Sequence, residues 1–501
     1  MSRLIYCLAI SALLPAFALA ATEKPTTAEG WRALARTDLA AAEQLLRAHT
    51  PIPFDDENPA LKRWLVQGYA DAQARVAEIQ GEADWYYTLS AFASGFRDPH
   101  VNIQPTGSLP PARWPGIIVA MQGDVGVVAE RDASDTEAPP LGARILSCDG
   151  KPLAELMETR VLSLTLNPAF AADRRRAMTR LFIDRGIAFA PAPKRCRIEV
   201  AQEVKDVELK WRALPKPEEA WWAQLQNAAI GPAATFGVSE PAPGVTWIGV
   251  PTFSSGAQTA PKLELLIAEV LKRGDAIRAS RAIVIDTRGN GGGNSQWADK
   301  LAEAIFTAPV LAKHQPPPVK SAVDWRGSEG NADYWRAWSA RMREEFGVFS
   351  GSWLRAVAIS DRLREAAAKS VPFCRDGSDE TGPSGGQSKR RPNGDSPFAA
   401  KVYVLSNGAC ASSCLNFADR VLFVPGVQLI GLDTYGDGML MDVRSETLPS
   451  GLARIVLPQK VARGRGRGAL EVYAADVRYD GAWDDASVRA WVMGLANGGA
   501  R

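Results

Sequence analysis

The run Ile283-Val284-Ile285 passes without interruption into Asp286-Thr287-Arg288-Gly289-Asn290-Gly291-Gly292-Gly293, and no other feature limits the fold as tightly. A continuous aliphatic stretch from Arg281 to Ile285 suits a strand covered on both faces, which requires helices on either side of a largely parallel sheet. The pattern around it agrees. From Gly244 onward a strand (Val245 to Pro251), a helix (Ala260 to Lys272), a strand (Val402 to Leu405), a helix (Leu415 to Phe423) and a strand (Gln428 to Leu432) alternate, so an α/β layered core is expected over residues 216–501. Residues 309–399 interrupt this rhythm. They contain Trp325, Trp335, Trp338 and Trp353 and a polar stretch from Asp376 to Ser396, and we expect a helical insertion that covers the core.

Upstream the texture differs. Leu39 to Ala48 and Lys62 to Gln80 have helical periodicity, which predicts an N-terminal helical domain over residues 21–106. Residues 107–215 carry short β runs at Gly116 to Met121 and Val125 to Ala129, then an aliphatic strand entering the turn Asp149-Gly150 ahead of a helix from Leu153 to Leu162. That order resembles a PDZ domain, a module that takes extended chain ends onto a sheet edge. At the start, Arg3 precedes the apolar run Leu4 to Leu14, Pro15 and Ala18-Leu19-Ala20, the order of a secretory signal cleaved after Ala20. The run is shorter than the ~20 residues a membrane span needs. We therefore expect a periplasmic or secreted chain with no membrane span after cleavage.

With 58 Lys and Arg against 56 Asp and Glu, the formal charge of +2 excludes an electrostatic case for nucleic acid. Arg463-Gly464-Arg465-Gly466-Arg467-Gly468 is the one local exception, and it reads as a solvated turn between strands. Removal of the signal leaves five cysteines. Cys148 and Cys196 can bridge within one domain, and Cys374 can reach Cys410 or Cys414. The Cys410/Cys414 spacing has no second half-site, so no metal is expected.

Chemistry concentrates in two segments. Glycines in the 289–293 turn let backbone N–H groups approach a ligand oxygen, and no Gly-Lys-Ser/Thr follows that would make it a nucleotide loop. In Ser406-Asn407-Gly408-Ala409-Cys410-Ala411-Ser412-Ser413-Cys414-Leu415 small residues lead into an amphipathic helix, whose N-terminus favours a developing negative charge. Together these segments resemble the carboxyl-terminal processing proteases, the S41 family of serine peptidases. Asp286 to Gly293 matches the family's D-x-R-x-N-x-G-G turn, Cys410-Ala411-Ser412 its nucleophile motif, and Gly431-Leu432-Asp433-Thr434-Tyr435-Gly436-Asp437 the motif that usually ends in lysine. The likeness covers roughly residues 100 to 480. It implies a ClpP/crotonase-like layered core, an acyl-enzyme on Ser412, protein or peptide substrates and no cofactor.

Two departures shape the mechanism. Asp437 stands where the family's lysine base would be, and Leu415 replaces a glutamate. A lysine-free branch, which includes tricorn core proteases and a secreted chlamydial protease, instead draws a histidine from an upstream D-x-H. Asp98-Pro99-His100 has that form, and the chain holds only two other histidines, His49 and His314. The resemblance thus implies His100 as general base, with Glu471, or else Asp437, supporting it. The N–H of Ser413 and one from Gly292-Gly293 would form the oxyanion hole, each worth about 3 kcal/mol in the transition state. The lost lysine and glutamate equally fit an inactive S41-like scaffold that binds a peptide or a hydrophobic ligand.

Overall fold

The computed structural model describes residues 23–315, 319–376, 381–382 and 394–498. The signal segment and most of the 376–396 polar stretch lie outside them. Among the described residues no helix is long and apolar enough to cross a membrane.

The core sheet runs in the order Gly237–Ala242, Val245–Gly249, Ala282–Asp286, Lys401–Asn407, Val427–Leu432 and Val477–Arg478; only the first strand is antiparallel to its neighbour. Every residue of Val245–Gly249 and Ala282–Asp286 is buried, as a strand covered on both faces must be. Helices Ala260–Lys272, Ser295–Phe306 and Ser413–Val421 pack on one face around Phe253, Leu301 and Phe417. Helix Asp485–Ala496 closes the other face against Trp247, Tyr403 and Trp483. The α/β expectation holds, and the first helix spans the residues its periodicity marks.

A second sheet explains how distant segments reach the core. The long strand Ala453–Arg463 pairs along one edge with Leu440–Thr447; its other edge takes Asn102–Pro105 at one end and Ala322–Arg326 at the other. The N-terminal helices Ala28–His49, Pro59–Arg75 and Glu82–Ser94 bury Leu39, Leu46 and Phe92 in one cluster with Leu440, Ile455 and Leu457 from these strands. The helical segment is therefore seated on the sheet that receives the Asn102 strand, which sets the position of everything just before it.

Residues 117–208 form an antiparallel sheet, Ile117–Gln122, Val125–Arg131, Arg144–Cys148, Arg195–Val200 and Glu203–Glu208 in that order. The turn after Cys148 has Asp149 and Gly150 at φ 49° and 73°, the left-handed pair that a two-residue hairpin turn demands. Helices Leu153–Met157 and Ala171–Arg180 pack beneath it.

Three expectations are corrected. Trp325 lies on strand Ala322–Arg326 and not on a helix; it is buried under the helix pair Glu329–Phe346 and Gly351–Ala368, with Trp335 edge-on at 5.5 Å. Cys374 pairs with neither candidate: Cys410 bridges Cys414, Cys148 bridges Cys196, and Cys374 is free. The arginine run is no solvated turn. Arg463 bonds Asp55 at 2.6 Å and Asp324 at 2.8 Å, Arg465 bonds Asp437 at 3.2 Å, and the fully buried Arg467 takes both oxygens of Asp419 at 3.2 Å.

Candidate active site

Strand Ala282–Asp286 delivers the glycine turn, and its polar residues brace that turn instead of facing solvent. The Asp286 carboxylate accepts from Trp247 Nε1 and from Arg288 Nε and Nη2 at 2.8–3.1 Å, all in the buried interior. Asn290 donates to the Val250 carbonyl and accepts from Gly292 N, while Asn407 accepts from Gly289 N and donates to the Ile230 carbonyl. Gly292 N is thus occupied, whereas Gly293 N, nearer the next element, has no acceptor among the described residues. Gly292 (φ 100°) must be glycine for a second reason: a Cβ there would stand 2.7 Å from the Cβ of Ser412. This close approach sets the turn against the next element.

Ser412 caps helix Ser413–Val421 with φ 52° and ψ −121°, a conformation an L-residue holds only at a cost of about 1–3 kcal/mol. Several contacts over-determine it. Ala411 N bonds the Asn290 carbonyl, Tyr435 N bonds the Cys410 carbonyl, and Ser413 Oγ donates to the Gly293 carbonyl at 2.6 Å. The Cys410–Cys414 disulfide, two residues to either side of Ser412, closes the same bend covalently. Ser413 N, the first N–H of the helix, has no acceptor among the described residues and lies beside the Gly292-Gly293 turn. Two backbone donors thus flank Ser412 at the positive end of a helix.

Ser412, Ser413, Gly293, His100, Asp437 and Arg465 line one cleft of about 660 Å³. His100 reaches it because Asn102 pairs with Val456, which pins the preceding loop to the second sheet. Asp98 then holds the imidazole. Its Oδ1 accepts from both His100 Nδ1 (2.8 Å) and His100 N (3.0 Å), and its Oδ2 accepts from Leu440 N at 3.3 Å. Nε2 is thereby left as the free ring nitrogen. Burial, the largest single influence, lowers the His100 pKa, but the hydrogen bond and charge of Asp98, with the charges of Asp437 and Asp442, outweigh it and leave it above the ordinary 6.5.

Asp437, in the place of the family's lysine, is buried and paired with Arg465, which also donates to the Asp437 and Gly438 carbonyls. Its charge is answered locally. Glu471 lies outside the cleft lining, where its carboxylate accepts from Gly468 N at 2.6 Å and so caps a turn. Sequence reasoning named the D-x-H segment but passed over its aspartate; Asp98 two residues before His100 is the spacing of an Asx turn, and that was the available signal. The other histidines stand elsewhere: His49 bonds Ser328 Oγ and is driven down to about 4 by burial, and His314 ends helix Ala308–Lys313. The insertion touches the cleft through Ser321, Ala322, Val323 and Asp376, not through its helix pair.

A buried glycine turn, a strained serine at a helix head and a held histidine thus meet in one cleft on an α/β core. The model for peptidase family S41 matches residues 244–467 of the chain. Among solved structures, mature CPAF is similar over 94% of this chain and 99% of its own, at 16% identity and a TM-score of 0.60. Mature CPAF complexed with lactacystin is similar over 93% and 99%, also at 16% identity, with a TM-score of 0.58. At these identities the likeness is one of fold. No curated protein matches the chain.

Proposed function

We propose that the chain is an exported serine endopeptidase that cleaves protein or peptide substrates through an acyl-enzyme on Ser412. The observation that carries this reading is the convergence on one cleft of Ser412, the two unengaged donors Ser413 N and Gly293 N, and a histidine whose far nitrogen is held by a buried carboxylate. His100 Nε2 takes the Ser412 proton as Oγ attacks the scissile carbonyl, and the two N–H groups receive the oxyanion. His100 then returns the proton to the leaving amine, and a water molecule deacylates the serine by the same relay. Asp98 fixes the tautomer and supports the imidazolium, the role first given to Glu471 or Asp437. The Asp437–Arg465 pair fills the lysine's place without presenting a net charge to the oxyanion. The signal segment makes the periplasm or exterior the place of action, and the 117–208 sheet, read as PDZ-like, is the element that would hold a substrate tail.

A fluorophosphonate probe tests this directly. Wild type is expected to label at neutral pH and Ser412→Ala to stay unlabelled; a wild type that does not react would favour the inactive scaffold, and labelling that survives Ser412→Ala would move the nucleophile elsewhere.

A further inference from the structure

Apart from the cleft, a cavity of about 390 Å³ lies where helix Glu82–Ser94, the 158–165 segment and the C-terminal end of helix Ala171–Arg180 meet. The cleft and the cavity share one stretch of chain, for His100 faces the first and Asn102 lines the second. Three arginines line the cavity and no acidic side chain does. Arg160 donates to the carbonyls of Ala190 and Leu181, and Arg185 donates to the Pro110 carbonyl and lies over the Trp222 ring at 5.2 Å. Arg180 differs from both. Its guanidinium makes no hydrogen bond or ion pair with any described residue, and the side chain is half-buried against the cavity, which lowers its pKa.

The carboxylates near it are engaged elsewhere. Asp173, whose charge reaches Arg180, is held by Arg176, by Asn167 N and by the Tyr435 hydroxyl; Asp184 is held by Arg113 and Gly186 N; Asp84 accepts from Gln80 N and Ala188 N. The helix end that Arg180 occupies supplies only a partial negative charge. A half-buried guanidinium facing a cavity without a protein acceptor is open to an anion, and arginine's planar fork matches a carboxylate in two parallel bonds. The remaining wall has an apolar and aromatic side, from Tyr86, Tyr87, Ile183, Ile187 and Leu225, alongside polar groups such as Ser90, Thr179 and Gln226, and the volume falls in the range of small-ligand sites.

We propose that this cavity binds a carboxylate carried on an apolar or aromatic body, with Arg180 as its counter-ion. One whole guanidinium is free and the other two are partly bound to backbone carbonyls, so the site answers a single negative charge more closely than a phosphate's two. The carboxylate is that of a free organic acid or of a peptide chain end. The inference does not rest on hydrolysis, and it stands if Ser412 proves inert.

The test is calorimetric titration of the full chain carrying Ser412→Ala, so that no peptide is consumed. The probes are 3-phenylpropanoate, its neutral isostere 3-phenylpropanamide, and N-acetyl-Leu-Phe as free acid and as amide. Each acid is expected to bind at least tenfold more tightly than its amide, and Arg180→Gln is expected to remove that preference while Arg180→Lys retains part of it. The tighter of the two acids identifies the source. Equal binding of acid and amide, no binding of either acid, or unchanged affinity in Arg180→Gln would overturn the site. Thermal unfolding guards against a merely structural arginine. Arg180→Met is expected to melt at or above wild type without ligand, with 3-phenylpropanoate raising the melting temperature of wild type alone; a lower unliganded melting temperature and no ligand shift in either protein would also overturn it.

Discussion

Two groups of arginines, buried or half-buried, are reached from the same loop, and they differ in what answers their charge. On the cleft side Arg463, Arg465 and Arg467 each meet a carboxylate, from Asp55 and Asp324, Asp437 and Asp419 respectively. On the cavity side Arg180 meets no carboxylate, Arg160 meets carbonyl oxygens, and Arg185 a carbonyl oxygen and the Trp222 ring. The difference separates scaffold from recognition. Where both charges belong to the chain, the pair fixes geometry, here the strand end and the turn that carry Asp437 and Thr434 past Ser412. Where one charge is missing, a half-buried cation faces a cavity with its charge left for a ligand to answer.

The same contrast sets the size of the responses to mutation. The cleft's largest response is expected at the histidine. His100→Ala should lower turnover of a denatured protein substrate by on the order of 10³-fold or more, and Asp98→Asn by roughly 10²-fold or more, because a misheld tautomer disables the base. A general base works only when neutral, and the carboxylates around His100 raise its pKa. The rate should therefore rise with pH along a limb centred above 6.5, and Asp98→Asn should move that midpoint downward. A wild-type limb centred below the ordinary histidine value would break the Asp98 assignment.

Next in size is the scaffold pair. Arg467→Met leaves Asp419 buried without its partner, although Tyr473 still bonds it, and should cost about 3–5 kcal/mol in urea unfolding. Adding Asp419→Leu to Arg467→Met should recover much of that loss. Similar losses for Arg467→Met and Arg180→Met would erase the distinction between the two arginine groups.

The smallest expected effect belongs to the bond around the nucleophile. Cys410 and Cys414 lie four positions apart in the chain, so chain entropy gives their disulfide only about 2 kcal/mol of stability. Its consequence is local. Replacing both cysteines with alanine should slow fluorophosphonate labelling severalfold while leaving the circular dichroism spectrum unchanged, since it is the φ of Ser412 that the bond helps to hold. Unchanged labelling would mean that the hydrogen bonds at Ala411, Tyr435 and Ser413 suffice.

Legibility followed sequence distance. The parallel strands, their covering helices and the Asp149-Gly150 turn are local in origin, so period and turn chemistry marked them. Trp325 was misplaced because a tryptophan-rich stretch reads as one helical pattern when its first member is on a strand that pairs with residues 460–463. The arginine run was misread for a related reason: its partners Asp55 and Asp324 lie 408 and 139 residues away, and nothing beside the run signals them. Asp98 was legible by spacing but overshadowed by the expectation of a distant third member.

By itself the sequence determined the α/β core, the glycine turn and a serine at the head of a helix, because each follows from residues adjacent in the chain. Tertiary structure alone decided which carboxylate holds His100, which cysteines pair, and which arginines are answered and which are not. Those outcomes depend on which groups meet after the helical segment and the long strand Ala453–Arg463 have packed together, and the cost of an unpaired buried charge is settled only there.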